Sequence, residues 1–403
     1  MFLAIITATL CGCLAGVITG LIPGIHVNLI SVAILTFSNL LFKITSPFIL
    51  SVFIVAMAVT HTFLDSIPSI FLGAPDPDMA LGVLPGHRLL FQGKAYEAVK
   101  LTVIGSLLSL ITVIATIPLA LLIVPSIYLW LQKYMGYFLI SISLYIILKE
   151  KSLNRIFWGS LVFILSGLLG IIVLTWKNIK QPLFPLLSGL FGISTLIISL
   201  SKNVEIPKQY VSETIEVGNK NKIKAIIAAV FSGSLTGLTP GLGAAQAAII
   251  ATQIVGKINI HSFMILLGGV NTANFTFSLF TFYALKKARN GAVIAIQELI
   301  RNINLRQLAL LLFVVLISGC IATFLALFFS KLFTEVIGRI NYKMLCLIII
   351  SFITMMTITI SGFIGLIILI TSSLLGIMPA LLNIRRSHAM GCLLLPLILF
   401  FIL

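Results

Sequence analysis

Apolar residues run along this chain in blocks too long for a soluble core. Residues 2–42 are almost uninterrupted, and blocks follow at 48–72, 101–131, 137–148, 156–176 and 183–200. Past the middle come 225–256, 260–285, 307–330, 344–360, 362–380 and 388–403. A helix of about 20 apolar residues spans a bilayer, so the pattern predicts roughly ten to fourteen membrane segments. No block alternates with the period of two that a membrane barrel requires. The expected fold is therefore all-α, a polytopic transmembrane helical bundle. The most polar stretches are K-E-K-S-L-N-R (149–155) and residues 201–224. The second divides the chain near its middle. It predicts an N-terminal membrane half over 1–200, a linker over 201–224 and a C-terminal membrane half over 225–403.

Two of the apolar blocks carry one signature. G-V-I-T-G-L-I-P-G (16–24) returns as G-S-L-T-G-L-T-P-G (233–241), so that Gly16, Thr19, Gly20, Leu21, Pro23 and Gly24 each recur 217 positions later. Proline lacks a backbone donor and clashes with the preceding turn, and the glycine beside it permits a sharp bend. Each signature predicts a broken helix, and the two halves are expected to be structural repeats. Backbone freed in hydrocarbon persists only where protein buries it or a wet cavity meets it. Matched breaks in the two halves of a transporter point to its binding site. The N-terminal end of a half-helix offers N–H donors and partial positive charge, which suits a carboxylate or phosphate. The candidate substrate-binding residues are Gly20, Pro23, Gly24, His26 and Asn28 in the first copy. In the second they are Gly237, Thr239, Pro240, Gly241, Gly243, Ala244 and Gln246. Asn271 and Asn274 stand three apart on one helical face. Such residues either meet a polar substrate or bond helix to helix, and both readings stay open.

A second constellation, H-T-F-L-D-S-I-P-S (61–69), places Asp65 after some fifteen uncharged residues. Carboxylates inside a membrane are costly and mark function by default. Asp65, with Ser66, Ser69 and the carbonyls freed near Pro68, is the candidate ion-coupling site, for Na⁺ through hard oxygen ligands or for H⁺. Other polar clusters have plainer readings: A-P-D-P-D (74–78) as a solvated turn, L-P-G-H-R (84–88) and R-R-S-H (385–388) as topology determinants, and K-K-A-R-N-G (286–291) as an interfacial group whose stems snorkel.

Composition sharpens the class. Sixty per cent of residues are apolar, 9% are charged, and mean hydropathy is +1.20. The net charge of +16 is spread over short loops, as orientation signals are, so no nucleic-acid partner is expected. Loops 149–155 and 201–224 hold eight Lys or Arg, against two in W-K-N-I-K-Q-P between them. That asymmetry predicts a cytoplasmic linker. Cys11, Cys13, Cys320, Cys346 and Cys392 form no C-x-x-C pair, so neither a disulfide framework nor a metal site is indicated. The N-terminus lacks a basic n-region and reads as a retained span. There is no Walker motif and no hydrolase signature, so no enzyme and no cofactor is expected, only a coupling ion.

Several of these motifs together resemble the large membrane subunit of the tripartite tricarboxylate transporters, the TctA-like family, in its shorter archaeal form. The carriers are G-L-I-P-G (20–24), G-L-T-P-G-L-G-A (237–244), Asp65-Ser66-Ile67-Pro68, P-G-H-R, Q-G-K-A-Y-E-A (92–98) and Asn271-Thr272-Ala273-Asn274. The resemblance covers most of the chain. It implies a permease driven by an ion gradient that imports a small organic anion such as citrate, working with a small membrane subunit and an extracytoplasmic binding protein. The chain departs from the pattern at Ser69, where the family usually has Gly, and at His26 and Asn28. The alternatives are a transporter or flippase of a lipid-linked phosphate carrier, whose phosphate would use the same half-helix ends, and a non-transporting membrane scaffold.

Overall fold

The computed structural model describes residues 2–402 apart from 24, 75–76, 177–178, 180, 202–206, 212–214, 216, 240–242, 257 and 338–341. Every regular element among them is helical. In the first half these are α1 (Phe2–Leu21), α2 (Val27–Thr36), α3 (Ser38–Leu41), α4 (Pro47–Leu64), α5 (Val83–Leu90), α6 (Ala95–Leu148), α7 (Leu153–Thr175), α8 (Leu183–Leu187) and α9 (Ser194–Ser201). In the second half come α10 (Asn219–Leu238), α11 (Ala244–Val255), α12 (Ile260–Leu285), α13 (Gly291–Ile300), α14 (Leu305–Ile337), α15 (Tyr342–Leu381) and α16 (Gly391–Ile402). Eight helices are long and apolar enough to cross a membrane, and four shorter apolar helices accompany them among the described residues. Together they fall within the expected range of segments. Large apolar side chains such as Phe2, Leu122, Phe324 and Phe363 stay exposed, as lipid-facing surfaces require.

Both signatures interrupt their helices. α1 stops at Leu21 and α2 starts at Val27; α10 stops at Leu238 and α11 starts at Ala244. Elsewhere Gly362, at φ 69°, kinks α15. The signature glycines also set helix packing. A methyl on Gly12 would meet Phe53 and Ala56, one on Gly16 would meet Met57 and Thr60, and one on Gly20 would meet Leu64. Contacts that advance in step mean that α1 and α4 run side by side in the same direction. The chain between them must therefore double back, so α1 and α2 form an open hairpin whose second arm packs on α13 and α4 and not on α1. Gly233 and Gly237 pack against Val270, Ala273, Asn274 and Phe277 in the same order. α10 and α11 are a second hairpin beside α12. Small residues allow such close approach where lipid offers helices no hydrophobic incentive to associate.

The hairpins enter from opposite ends of the bundle. α4 and α12 are antiparallel, joined by Thr62 to Thr272 (3.3 Å) and by Asp65 to Asn271 (2.5 Å). α6 begins where α4 ends (Thr102 to Ser66, 3.0 Å) and where α12 begins (Glu97 to His261, 3.3 Å). The helices sort into two packed groups. By helix contacts one holds α1–α5, the first part of α6 and α10–α14, and the other Lys133–Leu148, α7–α9, α15 and α16. Their cores interlock, with Leu196 and Cys346 packed into the first and Leu235 and Ile249 into the second. In the first group Gly105 of α6 lies on the Ile265 carbonyl of α12 with no room for a methyl. Gly105→Val should lower the unfolding midpoint and broaden the size-exclusion profile, at a cost of about 1–3 kcal/mol. Phe324→Leu, on the exposed face of α14, should leave both unchanged.

Candidate functional site

A cavity of about 670 Å³ opens between the two groups, where the tips of both hairpins meet. From the first break come His26 and Asn28, and from the second Gly243 and Gln246. Asn271 and Asn274, near the middle of the 26-residue α12, complete the polar wall with His61 and Thr62 of α4. The opposite wall is largely apolar, with Leu174, Leu183, Leu187, Leu393, Leu397 and Phe400 beside the single amide of Gln181.

Each tip is organised by capping. His26 is the N-cap of α2, and its Nδ1 accepts from the Asn28 amide at 3.1 Å. That acceptor role leaves Nε2 as the ring's donor when the imidazole is neutral. Nε2 lies 3.9 Å from the Asp78 carboxylate. The Asn28 carboxamide lies over Gly291 at the start of α13, where a methyl would collide with it. At the second tip the Gly243 amide donates to Gln246 Oε1 at 2.9 Å, and the Ala244 amide donates to Asp78 Oδ1 at 3.2 Å. The helix start predicted to hold a substrate carboxylate thus holds one of the chain's own. Asp78 is no mere solvated turn; it caps α11 from 166 positions away. The positive end of a helix and its free amides favour an anion there, and an aspartate on a neighbouring turn satisfies that preference. A polar chain then joins the two breaks. Thr19 bonds His61 Nδ1 at 3.2 Å, the His61 and His26 rings meet edge-on at 5.2 Å, and His26 faces Asp78.

Arg289 also lines this cavity. Its guanidinium donates to the Tyr128 hydroxyl and stacks 5.3 Å over the Tyr128 ring. The sequence reading left it in an interfacial cluster. The only signal available was its place one residue before the Asn-Gly cap of α13, and that signal needs α13 to be recognised as a short helix aimed at the site.

The other expected residues divide. Gly20 and Gly237 are buried at helix contacts. Pro23 is half-buried in the turn after α1. Thr239 is buried, and its hydroxyl bonds Leu235 and Thr236 carbonyls. Ala244 contributes its amide to the Asp78 cap. Gly24, Pro240 and Gly241 lie outside the described residues. Asp65, 1% exposed, accepts from Asn271 Nδ2 and so stands one bond from the cavity. Ser66 and Ser69 turn elsewhere: Ser69 bonds the backbone carbonyl of Asp65, while Ser66 bonds Phe63 and Thr102. Pro68 is buried in a single π-helical turn that Gly73 ends in the left-handed conformation. Among the described residues no group of three or more His, Cys, Asp or Glu is arranged to hold a metal.

Residues 6–391 match the family described as "Tripartite tricarboxylate transporter TctA family". The chain is also 31% identical, over 401 residues and 97% of each protein, to an uncharacterized protein of Methanocaldococcus jannaschii. No solved structure matches significantly.

Proposed function

The chain belongs to the tripartite tricarboxylate transporter TctA family, and on that premise we propose that it moves a small organic anion, a di- or tricarboxylate, through the cavity between its two helix groups. The family is one of membrane transporters and not of enzymes. One observation carries the reading: residues that follow both helix breaks share a single cavity with a half-buried arginine and two asparagines near the middle of α12. In this reading Arg289 grips one carboxylate, and the carboxamides of Gln246, Asn271 and Asn274 orient the rest. Asp65, bonded to Asn271, senses the coupling ion, Na⁺ or H⁺, and passes its state to the substrate wall.

The two halves act as inverted repeats. Support comes from the matched pairings α1 on α4 and α10 on α12, from the antiparallel α4 and α12, and from α7 packing on α16 as α15 packs on α8 and α9. Each hairpin is then re-entrant, one from each membrane face. Alternating access follows when the group carrying the hairpins shifts against the other. The basic loops support a cytoplasmic position for the 201–224 linker. The cavity is then open to the opposite side, where an extracytoplasmic binding protein would deliver substrate and a small membrane subunit would attend.

The test is a thermal-shift screen of carboxylates and polyprenyl phosphates on the purified protein, with and without Na⁺, followed by uptake into vesicles. Stabilisation by citrate-like compounds supports the reading, and indifference to all of them would sink it. The apolar wall is the feature that favours the lipid-linked phosphate alternative, and preferential stabilisation by polyprenyl phosphate would select it. Asp78→Asn should raise carboxylate affinity several-fold, because the chain's own anion then competes less for the α11 start and repels the substrate less. Weaker binding by that variant would instead make Asp78 part of the substrate's own support.

A further inference from the structure

A second cavity, of about 640 Å³, lies between α5 with its preceding turn and the other helix group. Lys151 and Arg155, at the start of α7, line it, whereas Leu174, near the end of α7, lines the first cavity. α7 has 23 residues, and the two cavities lie toward its opposite ends. Asp78 and Leu187 line the first while Ala80, Leu81 and Phe191 line the second, so only a thin packed layer divides them.

The charges of this second cavity do not balance. Arg88, Lys151, Arg155, Arg385 and Arg386 line it, with Glu150 as the one carboxylate among the described lining residues. Glu150 is already engaged. Its Oε1 meets His388 Nε2 at 3.0 Å, the Arg385 amide at 3.2 Å and Arg385 Nε at 3.8 Å. Burial alone would raise its pKa, but these bonds and the Arg385 charge hold it below the usual carboxylate range. Its charge is therefore present at neutral pH and spent on Arg385 and His388. Arg88, Lys151, Arg155 and Arg386 have no carboxylate within 4 Å among the described residues.

Arg386 donates to Thr195 Oγ1 and lines the cavity together with Arg88, whose like charge acts on it. His87 is fully buried beside them. Burial and the Arg386 charge push its pKa down to about 4, so it adds no positive charge at neutral pH. Like charges facing one cavity repel, more so where one is half-buried as Arg386 is, and an oxyanion between them relieves the repulsion. A guanidinium presents a planar fork to such an anion. Cations converging from α5, the start of α7 and the 385–386 turn suit a tetrahedral phosphate, which accepts from several directions, better than one planar carboxylate.

We propose that this cavity is a second anion site, binding a phosphate-class dianion between Arg88 and Arg386, with a lining distinct from that of the transport cavity. The dianion comes either from free phosphate or from a phosphomonoester lipid headgroup.

The full-length protein is titrated with inorganic phosphate in detergent, and separately reconstituted in nanodiscs with and without phosphatidic acid. Saturable binding of either probe that falls roughly tenfold or more in the Arg88→Gln, Arg386→Gln double variant is the expected result. Binding of phosphate in detergent identifies a free anion, and binding of phosphatidic acid alone identifies a headgroup. Should the double variant misfold, Arg88→Gln alone, at an exposed position, must still weaken binding. Binding of neither probe, or binding that both variants leave intact, overturns the proposal. So does binding abolished by Arg289→Gln and untouched by Arg88→Gln, which would assign it to the transport cavity. The readout does not use uptake, so failure of the transport reading leaves it standing.

Discussion

Replacing Arg289 with Gln abolishes carboxylate uptake while the protein still inserts and purifies as a single species. The guanidinium rests on the Tyr128 ring and hydroxyl at the cavity wall, so its geometry is fixed before a substrate arrives. Truncating one partner of a desolvated, hydrogen-bonded charge pair costs about 2–5 kcal/mol, roughly thirtyfold to several-thousandfold in Kd. Arg289→Lys keeps the charge but loses the fork and the flat stacking surface, and it should fall between wild type and Gln. Tyr128→Phe removes only the hydroxyl partner and should cost least. The measurement is uptake of labelled citrate by proteoliposomes, with Kd from titration of each variant. Wild-type uptake by Arg289→Gln would remove this residue from the mechanism.

Asp65→Asn separates transport from its driving force. The Asp65 carboxylate ends α4 and accepts from Asn271 of α12 at 2.5 Å, and Asn271 faces the cavity. A change of charge at Asp65 therefore changes what Asn271 can offer a substrate. Hydrogen bonds to charged groups contribute about 1.5–3 kcal/mol, enough for roughly a tenfold or larger change in substrate affinity between the two ion states. The neutral amide fixes one state. Substrate exchange across the membrane should persist in Asp65→Asn, while accumulation driven by a Na⁺ or pH gradient should vanish. Accumulation at the wild-type level would show that the ion is coupled elsewhere.

The all-helical membrane architecture was legible because it rests on local chemistry. Apolar run length fixes what lipid can accept, and helices are the only open-ended way to satisfy the backbone there. The breaks after Leu21 and Leu238 were legible for the same reason, since a Pro-Gly pair removes a backbone donor and permits a sharp bend. Proline alone does not decide it, because Pro118 and Pro125 lie inside α6. Of the candidate site, His26, Asn28, Gly243, Gln246, Asn271 and Asn274 line the cavity; all but the asparagine pair follow directly from where the breaks fall. Gly20 and Gly237 stood among the candidate substrate-binding residues, and the room they leave is filled by Leu64 and by Asn274 and Phe277. A glycine that clears space does not say what fills it.

The sequence alone determined that the chain is a bundle of membrane helices with two interruptions, because hydropathy and proline geometry act over a few residues. Tertiary structure alone decided that Asp78 caps α11, that Arg289 turns into the cavity, and that Ser66 and Ser69 bond backbone and Thr102 instead of completing an oxygen cage around Asp65. The Asp78 and Arg289 outcomes, and the bond between Ser66 and Thr102, depend on pairings between residues far apart in the chain. A side chain's partner is set by which helices pack together, and no local pattern encodes that.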